Sequence, residues 1–145
     1  MNKKLLSILL LVGLFSSCKT TEHQLDELPD TYLSYGSGGG FAGSLDEIFI
    51  FENGQVLESK TFVDSTIVHP KVKKSEVKSL IDYVLKENLL TYKMFKPGNL
   101  YYFINIKIDG AENRIVWGVE RGNTPERIAP LYNKLVALTS QIDTK

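Results

Sequence analysis

Cysteine is all but missing from this chain. Cys18 is the only one in 145 residues, so no disulfide closes within it and no thiolate cluster holds a metal. Histidine occurs twice, at His23 and His69, without the spacing of zinc ligands, and no His-Glu-x-x-His helix exists. No loop of alternating acidic ligands surrounds Asp46-Glu47 or Asp64, which removes calcium-loop chemistry. Neither sign of charge is in excess, with 17 Lys and Arg against 17 Asp and Glu. Without a basic cluster there is no footprint for nucleic acid, whose binding is mainly phosphate neutralisation. The densest basic run, Lys71-Val72-Lys73-Lys74, reads as a solvated approach to a helix. A catalytic centre is equally hard to assemble. His69 precedes Pro70 as a turn residue would, Ser59, Ser65 and Thr66 sit in no nucleophile motif, and Asp109 and Glu112 lie at a hairpin turn. The expectation is a protein that is not an enzyme and holds neither metal nor cofactor.

What is present begins at the amino terminus. Lys3 and Lys4 precede an apolar run over residues 5–14, broken by Ser7 and Gly13, and Ser16-Ser17 leads into Cys18. Positive start, short greasy run and small residues form a secretory signal, and the run falls short of the ~20 residues that span a bilayer. An ordinary signal followed by an incidental thiol fits that order, but a lone thiol in an oxidising compartment invites intermolecular pairing. Leu14-Phe15-Ser16-Ser17-Cys18 resembles a bacterial lipoprotein box, in which the cysteine becomes the lipidated first residue. Acyl chains contribute ~0.8 kcal/mol per buried methylene, so several hold a protein firmly on a membrane. The expected organisation is a signal peptide at 1–17, a lipidated tether at 18–29 and a single domain at 30–145. The expected place is the bacterial cell envelope, outside the cytoplasm, with the outer membrane as the anchoring surface.

Hydrophobic patterning organises the domain. Thr31-Tyr32-Leu33-Ser34-Tyr35 reads as a strand ended by Gly36. Glu47-Ile48-Phe49-Ile50-Phe51 reads as a second, and residues 55–63 as a third after the hairpin signal Asn53-Gly54. Residues 100–108 alternate as a fourth strand, Asp109-Gly110 turns the chain, and 113–119 return as a fifth carrying Trp117. Ser75 is positioned to cap a helix with the stripe Val77, Leu80, Ile81, Val84 and Leu85, ending near Asn88. A second helix opens near Thr124-Pro125-Glu126 with Ile128, Leu131, Leu135, Leu138 and Ile142 as its stripe. Pro130 requires that helix either to start late or to bend. The implied fold is α+β, an antiparallel sheet of about five strands in the order β-β-β-α-β-β-α with both helices on one face. The free face then offers Phe49 or Phe51, Tyr101, Phe103 and Trp117 to a partner.

The unusual local feature is Tyr35-Gly36-Ser37-Gly38-Gly39-Gly40-Phe41-Ala42-Gly43. Gly38, Gly40 and Gly43 match a Gly-x-Gly-x-x-Gly spacing, but that fingerprint needs a helix next, and a strand follows. No Lys-Ser or Lys-Thr follows Gly43 either, so nucleotide binding is a poor reading. Two readings stay open. One is a wide hairpin loop or bulge. The other is bare main chain left open to a partner, with Phe41 as an unshielded anchor.

Ser37 to Gly43, Ser-Gly-Gly-Gly-Phe-Ala-Gly, resembles the Ser-Gly-Gly-Phe-Ala-Gly segment of emfourin-like proteins, small inhibitors of thermolysin-type metallopeptidases. Asp109-Gly110, Arg114-Ile115-Val116-Trp117 and Thr124-Pro125-Glu126 follow in the matching order. The resemblance implies a binding protein that blocks an extracytoplasmic zinc peptidase. Gly38, Gly39, Gly40, Phe41, Ala42, Gly43, Asp46 and Glu47 are then the partner-binding residues. Phe41 would fill the pocket such enzymes keep for a bulky apolar residue, while a backbone carbonyl or the Asp46 or Glu47 carboxylate approaches the zinc. The alternative is an envelope assembly module that uses the open sheet face and has no peptidase partner. Partners on either reading are the membrane, through the lipid, and a protein, with neither nucleic acid nor nucleotide.

Overall fold

The computed structural model describes residues 21–119 and 124–140. The segment read as a signal peptide, Cys18 and Ile142 lie outside the described residues. Strands β1 (Tyr32–Gly39), β2 (Ser44–Phe51), β3 (Val56–Lys60) and β4 (Val63–His69) run up and down in succession. Helix α1 (Lys74–Lys86) follows, then the two-residue β5 (Phe95–Lys96), β6 (Leu100–Ile108), β7 (Ala111–Gly118) and helix α2 (Ala129–Ser140).

These strands form one seven-stranded sheet in the order β4-β3-β2-β1-β6-β7-β5. The expectation of about five antiparallel strands is therefore corrected in number and in kind. β5 runs parallel to β7, opposing Phe95 to Val116 and Lys96 to Trp117, which makes the sheet mixed. The segment read as one strand over 55–63 is instead β3 plus the turn into β4, with Lys60 opposite Val63. That turn at Thr61-Phe62 contains no Gly, Pro or Asn, so the usual turn chemistry gave no warning. β1 also extends past Gly36 to Gly39, pairing with β2 on one side and β6 on the other.

Both helices share one face of the sheet. Val77, Leu80, Ile81 and Val84 of α1 and Leu131 and Leu135 of α2 join one core with Leu33, Ile50, Ile104, Ile106, Ile115 and Trp117. Leu85, assigned to the α1 stripe, is half exposed instead. Lys73 rather than Ser75 precedes the first turn of α1, with no side-chain cap, and Asn88 takes the left-handed conformation that stops it. Pro130 is the second residue of α2, where its missing N–H has no partner to lose. Pro125 accepts from Ile128 and Ala129 at 3.0 and 2.9 Å and turns the chain into that helix.

A second, smaller cluster of Phe49, Phe51 and Leu57 lies on the opposite face, where Leu25, Leu28 and Tyr32 pack on it. Part of the segment read as a tether thus lies on the sheet. Gln55 holds it there, its Oε1 accepting from the His23 N–H at 2.8 Å and its Nε2 donating to the His23 carbonyl at 2.9 Å. The His23 ring stands 4.9 Å from that of Phe51.

Candidate interaction site

The glycine run does two separate jobs. Gly36 lies inside β1, between β2 and β6. A Cβ there would stand 2.0 Å from the Asp46 carbonyl oxygen and 2.8 Å from the Phe103 ring. Glycine at 36 therefore lets an aromatic ring lie across the strand, a packing that supports sheets at bare positions. Gly38 is likewise crossed by the Tyr101 ring. Only the end of the run turns the chain. Gly40 donates to the Asn99 carbonyl at 2.8 Å, and Gly43 donates back to that of Gly40 at 3.1 Å. Both have positive φ, which residues with a Cβ rarely adopt.

The sequence-predicted partner residues accordingly separate. Gly40, Phe41, Ala42 and Gly43 form the turn, while Gly38 and Gly39 are the last residues of β1. Phe41 is fully exposed, at 110% of its reference surface. Asp46 and Glu47 sit within β2 and, being adjacent, point to opposite faces. Glu47 is occupied by the fold, accepting from Ser34 Oγ at 2.5 Å and Asn105 Nδ2 at 2.8 Å. Asp46 is exposed on the helix side, opposite Ser37 and Lys60. Neither carboxylate belongs to the turn.

Four of the five aromatic residues assigned to an open sheet face are buried instead. Phe103 is completely buried, packed over Gly36, with the Arg114 guanidinium 4.3 Å from its ring centre. Trp117 is 3% exposed because it faces the helices, 5.2 Å edge-on from Tyr132. Phe49 and Phe51 are covered by the amino-terminal segment. Tyr101 is partly covered, its ring 6.3 Å from that of Phe103. The open face keeps a depression of about 610 Å³ toward the β5 edge, where Asn105, Lys107 and Arg114 meet Lys93 and Phe95. Lys107 is already engaged there by Asp30 and Glu112 at 3.7 and 3.4 Å.

Two exposed aromatics escaped the sequence reading, Phe95 on β5 and Phe62. Phe62, in the β3–β4 turn, is 75% exposed. Its neighbour Thr61 clasps Leu45 of β2, donating from its backbone to the Leu45 carbonyl at 3.1 Å while its hydroxyl accepts from the Leu45 N–H. The polar pairs Lys60-Thr61 and Asp64-Ser65 around Phe62-Val63 are the signal that marks this turn in the sequence.

On the helix side, Tyr35, Tyr102, Trp117 and Tyr132 form a ring-to-ring cluster. Burial pushes the Tyr132 hydroxyl up to about 12, with Tyr102 and Tyr35 adding to it. Tyr35 shares a hydrogen bond with Thr139 of α2. Glu58 lies beside this cluster, paired with Lys60 at 2.9 Å and His69 at 2.8 Å. Among the described residues no group of three His, Cys, Asp or Glu is placed to hold a metal ion, and no helix is long and apolar enough to cross a membrane. No family model matches the sequence, and no curated protein matches it.

Proposed function

We propose that this chain is a lipid-anchored envelope protein that inhibits an extracytoplasmic zinc metallopeptidase through the turn at residues 40–43. The single observation that carries the reading is the Phe41 side chain, fully exposed at the tip of a paired hairpin. An exposed phenyl ring is costly to leave in water and gains about 1.5–3 kcal/mol when a pocket takes it in. The turn is held by its own bonds to Asn99 and Gly40, so little ordering accompanies binding. The resemblance of residues 37–43 to the emfourin-like segment points to a thermolysin-type enzyme as the owner of that pocket. With Glu47 bound to Ser34 and Asn105, the carbonyl oxygens of the turn and the exposed Asp46 carboxylate are the groups left to approach the enzyme's zinc.

The test is a titration of a thermolysin-type peptidase with a chain beginning at Lys19, which retains every described residue. Inhibition is expected, and Phe41→Ala is expected to raise the inhibition constant by about 10-fold or more, the effect of losing one buried anchor. Full peptidase activity at micromolar inhibitor, or equal inhibition by the alanine variant, refutes the reading.

A further inference from the structure

The strand order places two turns side by side at one end of the sheet. Gly39 opposes Ser44 at the β1–β2 tip, and Lys60 opposes Val63 at the β3–β4 tip, with Asp46 opposite Lys60. The Thr61–Leu45 clasp ties the β3–β4 turn to β2, two residues past the β1–β2 turn. Neighbouring strands are ~4.8 Å apart, which sets the two tips about 10 Å from each other. Leu100 opens β6 at the same end, its Cδ2 lying 3.3 Å from where a Gly40 Cβ would be. Five of the nine exposed large apolar residues, Phe41, Leu45, Phe62, Val63 and Leu100, therefore share this end among the described residues. Isolated surface apolars need no explanation, but their concentration at one end of a sheet, around the two phenyl tips, points to an interaction surface.

We propose that Phe62 is a second anchor beside Phe41, and that together they grip a folded protein with an apolar cleft. The proposal rests on the inhibitor reading and identifies what sets the affinity of that same surface. Charge favours a protein over a bilayer. Among the described residues at the tips, Asp46 and Asp64 stand against Lys60, which is already paired with Glu58. Attraction of an apolar turn to an anionic bilayer is strengthened by a cationic surround, and the described residues at these tips supply no excess of positive charge. Chain direction agrees. Thr21 is held at the opposite end, where its carbonyl accepts from Asn53 Nδ2 at 2.5 Å and Lys71 meets Glu22 at 2.8 Å. The eight residues of β2 separate the two ends by about 26 Å at ~3.3 Å each. The three residues from Thr21 to Cys18 reach at most about 10 Å. A lipid on Cys18 therefore leaves the phenyl pair facing away from its own membrane.

The experiment compares the Lys19-initiated chain with Phe41→Ala, Phe62→Ala and the double variant against a thermolysin-type peptidase. A parallel arm sediments each with vesicles of phosphatidylcholine and phosphatidylglycerol. Each single variant is expected to raise the inhibition constant about 10-fold or more, with unchanged thermal midpoints because both rings are exposed, and no protein is expected to sediment with the vesicles. If Phe62→Ala inhibits like the parent while Phe41→Ala does not, the second anchor is refuted and the inhibitor reading stands. If the parent does not inhibit, both fall. Vesicle binding by the parent that Phe62→Ala abolishes assigns the surface to lipid and overturns the protein partner.

Discussion

A methyl group at position 36 has nowhere to go. It would meet the Asp46 carbonyl oxygen of the neighbouring strand at 2.0 Å, and a backbone atom in a central sheet position yields little. Position 43 is the opposite case, with φ +62 and nothing within 4 Å of an added Cβ. Gly36→Ala is expected to cost about 1–3 kcal/mol or more through overpacking, and Gly43→Ala about 1–2 kcal/mol through backbone strain alone. Urea unfolding ranks the two, and equal losses would mean that β1 shifts to make room. The sequence revealed that these glycines were special without dividing them into two kinds. Telling them apart needs the knowledge that Phe103 and Tyr101 on β6 lie beside β1, a pairing between residues far apart in the chain. The burial of Phe103 and Trp117 escaped for the same reason. Alternation states that neighbours point oppositely, while the fold decides what covers each side.

The β3–β4 hairpin is the element that composition concealed, and it has a chemistry of its own. Glu58 lies on β3 and His69 on β4, 2.8 Å apart, with Lys60 at 2.9 Å on the other side. Burial raises the pKa of Glu58, but the hydrogen bonds from Lys60 and His69 outweigh it, so the carboxyl titrates below its ordinary 4.5. The unfolded chain therefore takes up this proton at higher pH than the folded one. The stabilisation is present above the ordinary value and is lost as pH falls through the lowered one. Glu58→Gln removes that titration, so the urea midpoint of the variant should fall less than the parent's between neutral pH and about pH 3. Parallel curves would exclude the pair as a source of acid sensitivity. Asn53-Gly54, Asp109-Gly110 and the alternation of β6 were readable because each carries its own turn residue or period. β4 and β5 carried neither. Short parallel pairing such as β5 with β7 exists only once the rest of the sheet has formed.

The molecule has two ends, and the amino-terminal segment defines one of them. Residues 21–29 read as polar tether because their charges outnumber Leu25 and Leu28, yet those two side chains cover Phe49, Phe51 and Leu57. Such a contact is invisible to periodicity, since two leucines in a short stretch set no helix or strand period. Burial of the pair is partial, so about 1 kcal/mol each is a fair expectation, to which the Gln55–His23 bonds add. A chain beginning at Asp30 should therefore lose about 2–4 kcal/mol of unfolding free energy relative to one beginning at Lys19. It should also bind an apolar dye, because Phe51 and Leu57 become accessible. The phenyl pair at residues 41 and 62 lies at the other end of the sheet, so inhibition by the folded fraction should be unaffected. Equal stability of the two chains would show that the segment rests on the sheet without supporting it. A matching loss of inhibition would show that the two ends are coupled through β2, which joins them.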